Sequence, residues 1–465
     1  MELDHEEEEY SMSLKKFESM LRTNKIYFFD SEEFADIIVH YIDMGKLPMA
    51  RKALKLALEQ HPNSVSVKLV QVELFIYDDK LDIADRILDE IILVEPNNDE
   101  IYVQRANVFS KRDQHTKAIE QLEIALQFTD SQADIYGFIG MEYLFMDDLE
   151  QARFAFAKCL DEDIEDQVAL YHVVYCYELL DQMDNGIEFL NHFIDKNPYS
   201  ELGWHHKGRL LYQQKKYEEA YVAFDYATLI DEDFSGAFIE KGKCLEKLKR
   251  FDEAIESYLE TLEIDEPNSF TFLRLGKCYE KVKNIEAAKK YYEKTTHEDP
   301  LLDKGWLAFA LFNLKQKNLR EALKCIKKAI EIDGENAMYW SKYALIQNEI
   351  GTFFEAEMGY RKSIEYGDKK LTTWMKWVDS LCKIKDFECA EASLLLAANS
   401  FPDHACIEYR LAGLYFTDLK KLSEGSFHLH NALRQDLKKI SLLEKIFPKA
   451  LEHKTVQQII AQYKA

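Results

Sequence analysis

The 465 residues carry 84 acidic and 59 basic side chains, a formal net charge of −25, and 47% of them are hydrophobic. That apolar content excludes disorder by composition, and the excess of carboxylates excludes a chain built to neutralise phosphates, so no nucleic acid is expected as a partner. The 16 Gly and 8 Pro are sparse for an all-β chain, no apolar run is long enough to cross a bilayer, and the eight cysteines form neither C-x-x-C pairs nor zinc-finger spacings; an all-α, cytoplasmic protein without membrane insertion is expected.

The N-terminus, MELDHEEEEY, has no basic and then apolar region of the secretory kind. Residues 1–30 are expected to form an acidic tail, with Glu6 to Glu9 solvated, followed by a capping helix within 12–29. From residue 31 the chain repeats itself every 34 residues. KCLEKLKRFDEAIESY at 243–258 returns as KCYEKVKNIEAAKKYY at 277–292, with seven of sixteen positions identical. In units beginning at 31, 65, 99 and so on to 405, the twentieth column is Ala in ten of twelve units, Gly186 in one, and Glu424 in the last, one step before Gly425.

The eighth column holds Gly140, Gly208, Gly242 and Gly276 with Ala106, Ala310, Ala344 and Ala412, so two helices are expected to cross closely there. Apolar residues of the seventeenth column, such as Leu47, Leu149, Phe251 and Phe387, mark the expected start of the second helix of each pair. Pro62, Pro96, Pro198, Pro300 and Pro402 share the thirty-second column and Pro267 falls one place later, at the joints between units; Pro48 suits the first turn of a second helix. Cys176, Cys244 and Cys278 share one column, which points to packing rather than chemistry. Residues 439–465 are expected to add one or two short capping helices.

The unit at 201–234, with Trp204, Gly208, Leu211, Ala220, Phe224 and Ala227, resembles the tetratricopeptide repeat (TPR), and Trp306, Trp340 and Trp374 lead later units in the same way. The resemblance covers 31–438 as twelve tandem units; it departs from the pattern at Ile38 and Val72 in the small column and at the slipped last unit. It implies an all-α, TPR-type α-solenoid, a right-handed superhelix of antiparallel helix pairs whose first helices line a concave face that binds proteins or peptides. Val103 and Ala308 stand where the Lys and Arg of a chaperone-type carboxylate clamp would be, so that function is not carried over.

On the family pattern the second, fifth, ninth, twelfth and thirteenth columns face the groove. In the first five units these include an apolar wall of Ile42, Leu69, Ile76, Tyr77, Met141, Leu144, Phe145, Tyr171 and Tyr175. In the next four they include a basic ladder of His205, Arg209, Lys243, Lys247, Lys277, Lys281, Lys304 and Lys315, suited to a ligand with acidic groups. The bland reading stays open beside it. Glu246 and Glu280 lie three residues from Lys243 and Lys277 and could pair with them locally, and the wall could equally pack on itself or on the N-terminal helix.

Residues 31–200 hold 34 acidic against 14 basic side chains, whereas 201–438 hold 40 against 36, so the front half is the acidic half. No phosphate-binding, nucleophile-elbow or zinc-protease motif is found, and the adjacent His205 and His206, like His428 and His430, make poor metal pairs. No catalytic residue, metal or cofactor is expected. The expectation is a non-enzymatic scaffold or adaptor that holds a partner segment; the alternatives are a self-associating scaffold or a regulatory subunit of an enzyme encoded elsewhere.

Overall fold

The computed structural model describes residues 2–23, 27–266 and 268–464, and these form helices and turns without a strand. A first helix, α1 (Glu2–Thr23), precedes twelve helix pairs. They are α2 (Ser31–Asp43) with α3 (Leu47–Gln60), α4 (Val65–Tyr77) with α5 (Leu81–Ile91), α6 (Asp99–Lys111) with α7 (His115–Ala125), and α8 (Gln132–Phe145) with α9 (Leu149–Glu162). Then come α10 (Gln167–Leu179) with α11 (Met183–Lys196), α12 (Glu201–Gln213) with α13 (Tyr217–Ile230), α14 (Ser235–Leu248) with α15 (Phe251–Ile264), and α16 (Ser269–Lys281) with α17 (Ile285–Glu298). The last four are α18 (Asp303–Lys315) with α19 (Leu319–Ile332), α20 (Ala337–Ile350) with α21 (Phe353–Glu365), α22 (Leu371–Lys383) with α23 (Phe387–Ser400), and α24 (Ala405–Thr417) with α25 (Leu422–Gln435). The chain closes with α26 (Ser441–Ile446), α27 (Lys454–Lys464) and two 3₁₀ turns. It divides into two compact units, Met1–Glu232 and Asp233–Ala465.

Local chemistry explains these boundaries. First helices open on side-chain caps: Ser64 accepts from the Val67 amide, Asp166 from those of Val168 and Ala169, Ser200 from Gly203 and Asn268 from Thr271. Ten of the second helices begin on the apolar residue of the seventeenth column. Between the two, one residue of the fifteenth column turns left-handed in nearly every pair. Gly45 and Gly351 do this without strain, but Asp79, Asp113, Asp147, Asp181, Lys215, Lys249, Lys283, Lys317 and Lys385 all do it with a side chain, at φ between 55° and 64°. In the last pair the turn is one residue longer and the left-handed residue is Lys420, which is why Gly425 rather than Glu424 takes the buried small position.

The twentieth-column alanines have no solvent exposure. The eighth-column glycines sit under an aromatic ring of the same pair. A Cβ built on Gly242 would lie 2.6 Å from the Tyr258 ring, one on Gly276 2.9 Å from Tyr292, and those on Gly140 and Gly208 2.7 Å from Phe156 and Phe224. The expected close crossing is therefore a helix-on-ring contact, and the missing side chain makes room for it. Pro62, Pro96, Pro198, Pro300 and Pro402 lie between pairs and Pro48 in the first turn of α3, as expected; Pro267 lies outside the described residues.

The ends differ in part from the sequence reading. The run Glu6 to Glu9 falls within α1 instead of forming a tail, because Glu is a good helix former and the run is continuous with the amphipathic stretch that docks. That stretch buries Phe17 and Met20 against Phe29, Phe34 and Ile37. At the other end Leu443, Phe447, Ala450, Val456 and Ile459 cover α24, whose residues Leu411 to Phe416 are buried throughout.

A lysine-lined cleft on the first helices

The apolar wall survives in part. Leu69 and Ile76 are core residues, packed with Val65, Val72, Ile101 and Val108, and are not available to a ligand. Aliphatic side chains at the fifth and twelfth columns are short enough to fill the seam between neighbouring first helices. Ile42 is half-buried against the cluster that contains Phe17 of α1, while Met141 and Leu144 are half-buried against the cluster of α9 to α11. The larger rings stay outside: Tyr77 is 61% exposed, Phe145 60%, Tyr171 45% and Tyr175 36%, and the rings of the last two lie nearly parallel with centroids 6.0 Å apart.

The basic ladder is also uneven. In the first unit Arg209 does not stand free, because its Nη2 donates to both carboxylate oxygens of Glu178, at 3.0 and 3.1 Å. Gln213 donates to the same carboxylate at 2.9 Å. His205 is half-buried, its ring edge-on to Phe224 at 5.5 Å. In the second unit Lys243 pairs with Glu240 at 2.6 Å and lies over the Phe270 ring. Among the described residues the alternative local pairs of Glu246 with Lys243 and Glu280 with Lys277 do not form. Glu246 instead accepts from Tyr258 of its own pair at 2.7 Å and faces Arg274 of the next at 3.3 Å; Glu280 accepts from Tyr292 at 2.9 Å and from Lys315 at 2.6 Å. Twelfth-column carboxylates thus tie successive first helices together, and Glu178, Glu246, Glu280 and Arg274 are charges of this face that a groove-facing list of cations overlooks.

What this leaves is a cleft of about 250 Å³ in the second unit, between α16 and α18. Lys277, Lys281 and Lys315 line it with Glu246, Glu280 and the apolar Leu311. With both carboxylates taken by Tyr258, Arg274, Tyr292 and Lys315, neither Lys277 nor Lys281 has an ion-pair partner among the described residues. Lys277 is exposed as a residue, yet its ammonium is held below the ordinary lysine value, first by desolvation and then by repulsion from Arg274, with Glu246 opposing. Lys247 and Lys304 are exposed and do not line this cleft. In the first unit a cleft of about 340 Å³ lies at the turns around Asp166 and Ser200, but both side chains there are spent on capping the helices that follow.

Burial pushes the Cys244 and Cys278 thiols up to about 12, which favours the protonated, less reactive thiol. Among the described residues no group of His, Cys, Asp and Glu is placed to hold a metal ion, and no helix is long and apolar enough to cross a membrane.

His206 is buried, with its Nδ1 3.3 Å from Arg209 Nη1. Desolvation first, then Arg209 and His205, push it down from 6.5 to about 3. Below about pH 6.5 the unfolded chain therefore binds a proton that the folded chain refuses, and stability falls as pH falls. His206 alone is expected to cost about 1.4 kcal/mol per pH unit in that window, or ~2 kcal/mol at pH 5. Denaturant titrations of the parent and of His206→Asn across the window check this; the variant should lose about one proton's worth of the slope.

The family model described as "Tetratricopeptide repeat" matches residues 133–163, 235–268, 271–296 and 304–336. These matches fall in both units and begin within two residues of the frame positions 133, 235, 269 and 303; the last three include the helices α14 to α18 that line the lysine cleft. Among solved structures, the chain is similar to one described as "YrrB: a TPR protein with an unusual peptide-binding site", at 17% identity over 40% of this chain and 95% of that one, TM-score 0.34. It is also similar to one of MamA, at 17% identity over 36% of this chain and 96% of that one, TM-score 0.33. No curated protein matches the chain. The four matched stretches are tetratricopeptide repeats, set in a chain with a 34-residue frame and glycine-on-ring helix pairs.

Proposed function

We propose that this protein is a non-enzymatic interaction scaffold, and that the first-helix face of its second unit holds an acidic segment of a partner protein. The carrying observation is the cleft lined by Lys277 and Lys281, two cations without an internal carboxylate partner where the neighbouring acids are already engaged. A carboxylate arriving there relieves the repulsion on Lys277 and forms charge-assisted hydrogen bonds. The exposed rings of Tyr77, Phe145, Tyr171 and Tyr175 supply a separate apolar anchor in the first unit. In this reading the residues of 31–438 act as twelve tandem repeats, capped by 1–30 and 439–465, in the cytoplasm, where the eight free thiols stay reduced.

The test is charge reversal. Once a stoichiometric partner has been captured from the native host and purified, Lys277→Glu with Lys281→Glu is expected to weaken its binding at least tenfold at physiological salt while leaving helicity unchanged. Unaltered affinity overturns the reading. The acidic first 200 residues favour a second reading, self-association with the less acidic remainder of another copy; light scattering across a salt series decides it, and a salt-independent monomer excludes it.

A further inference from the structure

A second cleft in the same unit, about 420 Å³, lies among α20, α21, α22 and α26. It includes Leu345, Asn348 and Lys383, in the same ninth, twelfth and thirteenth columns as the first cleft, and Tyr360, which is buried and whose hydroxyl has no hydrogen-bond partner among the described residues. Internal repetition shows what is missing. Tyr258 and Tyr292 share the column of Tyr360, and each donates to the twelfth-column carboxylate of its own pair, Glu246 or Glu280. In the pair of Tyr360 the twelfth column is Asn348, and its Oδ1 already accepts from Lys383 at 2.8 Å. A buried donor without an acceptor is costly.

The cleft also carries cations without acids. Lys376 and Lys445 have no ion-pair partner among the described residues. The one carboxylate in the lining, Asp379, is held by Arg410 through two hydrogen bonds of 2.9 and 3.0 Å. Leu345 and Ile446 provide apolar wall.

We propose that this cleft binds a carboxylate carried on a peptide segment, with Lys376, Lys383 and Lys445 holding the charge and Leu345 and Ile446 receiving an adjoining apolar side chain. When Lys383 turns to the incoming carboxylate it releases Asn348 Oδ1, which then accepts from the Tyr360 hydroxyl. Binding so completes an internal hydrogen bond that the other two pairs possess already. The site goes beyond the first cleft and shares no residue with it.

Fluorescence anisotropy of the full chain tests this with three fluorescein-labelled octapeptides. One ends in Leu-Glu with a free carboxylate, one in amidated Leu-Glu, and one in amidated Leu-Gln. At least one of the first two should bind at least tenfold more tightly than the third. Capture of the free acid alone assigns a terminal carboxylate, and capture of both assigns a side-chain carboxylate. Lys383→Gln should weaken binding about tenfold. Asn348→Glu supplies the acceptor that Tyr360 lacks and an internal partner for Lys383, and should abolish binding while raising the melting temperature. The Lys277→Glu, Lys281→Glu variant should bind as the parent does, which separates this site from the first cleft. Equal affinity for all three peptides, no binding of any, full binding by Asn348→Glu, or loss in the Lys277→Glu, Lys281→Glu variant overturns the proposal.

Discussion

Gly242→Ala is expected to destabilise the protein by about 1–3 kcal/mol, whereas Gly137→Ala should stabilise it by about 0.5–1 kcal/mol. Both glycines lie inside first helices, and propensity alone makes Ala the better residue at each. The difference is the ring. A Cβ on Gly242 would come within 2.6 to 3.0 Å of three atoms of Tyr258, a side chain with no solvent exposure whose hydroxyl is pinned to Glu246 and which cannot swing aside. A Cβ on Gly137 meets nothing within 4 Å. Because a repeat protein need not unfold as one cooperative unit, the two effects are best compared by native-state hydrogen exchange in α14 and α15 and in α8 and α9, respectively. Stabilisation by both substitutions would contradict the helix-on-ring packing.

Asp379→Ala is expected to cost about 3–5 kcal/mol, because it strands a buried guanidinium. Arg410 is only 6% exposed and spends Nε and Nη2 on the two oxygens of Asp379, one repeat earlier. Replacing both, as Asp379→Leu with Arg410→Met, should recover most of the loss, since the penalty lies in the orphaned charge more than in the absent attraction. By contrast Lys328→Ala removes an exposed pair with Glu331 on one helix and should leave stability unchanged. Chemical denaturation of the three variants checks the order; a mild effect of Asp379→Ala alone would show that Arg410 reaches water.

Much of this fold is legible in the text because a 34-residue period converts columns into equivalent positions. The Ala column is buried throughout, and apolar residues of the seventeenth column open ten of the second helices. The period is blind to what lies across a pair. Nothing in the glycine column names Phe156, Phe224, Tyr258 and Tyr292 as the rings that need the space, although they recur sixteen residues later and could have been found there. The left-handed turn escapes notice because Asp and Lys occupy it where Gly or Asn would signal it.

The candidate site was less legible for a related reason. A family column treats Leu69 and Tyr171 alike, yet side-chain size decides which is swallowed by the seam between helices and which remains outside. Charge pairing likewise runs between repeats, as in Glu178 with Arg209 and Glu246 with Arg274, at sequence separations of 31 and 28 that no local spacing rule reaches. Lys383 continues the thirteenth column of Lys247, Lys281 and Lys315 and could have been read from the sequence; the unsatisfied hydroxyl of Tyr360 could not.

We propose that unpaired lysines on the first helices of the second unit receive an acidic partner segment. Hydrogen-exchange mass spectrometry of the purified complex tests it most directly. Protection gained across 269–281 and 303–315, and lost on Lys277→Glu with Lys281→Glu, is the predicted result. A bound partner that leaves both helices exchanging as in the free chain would contradict it.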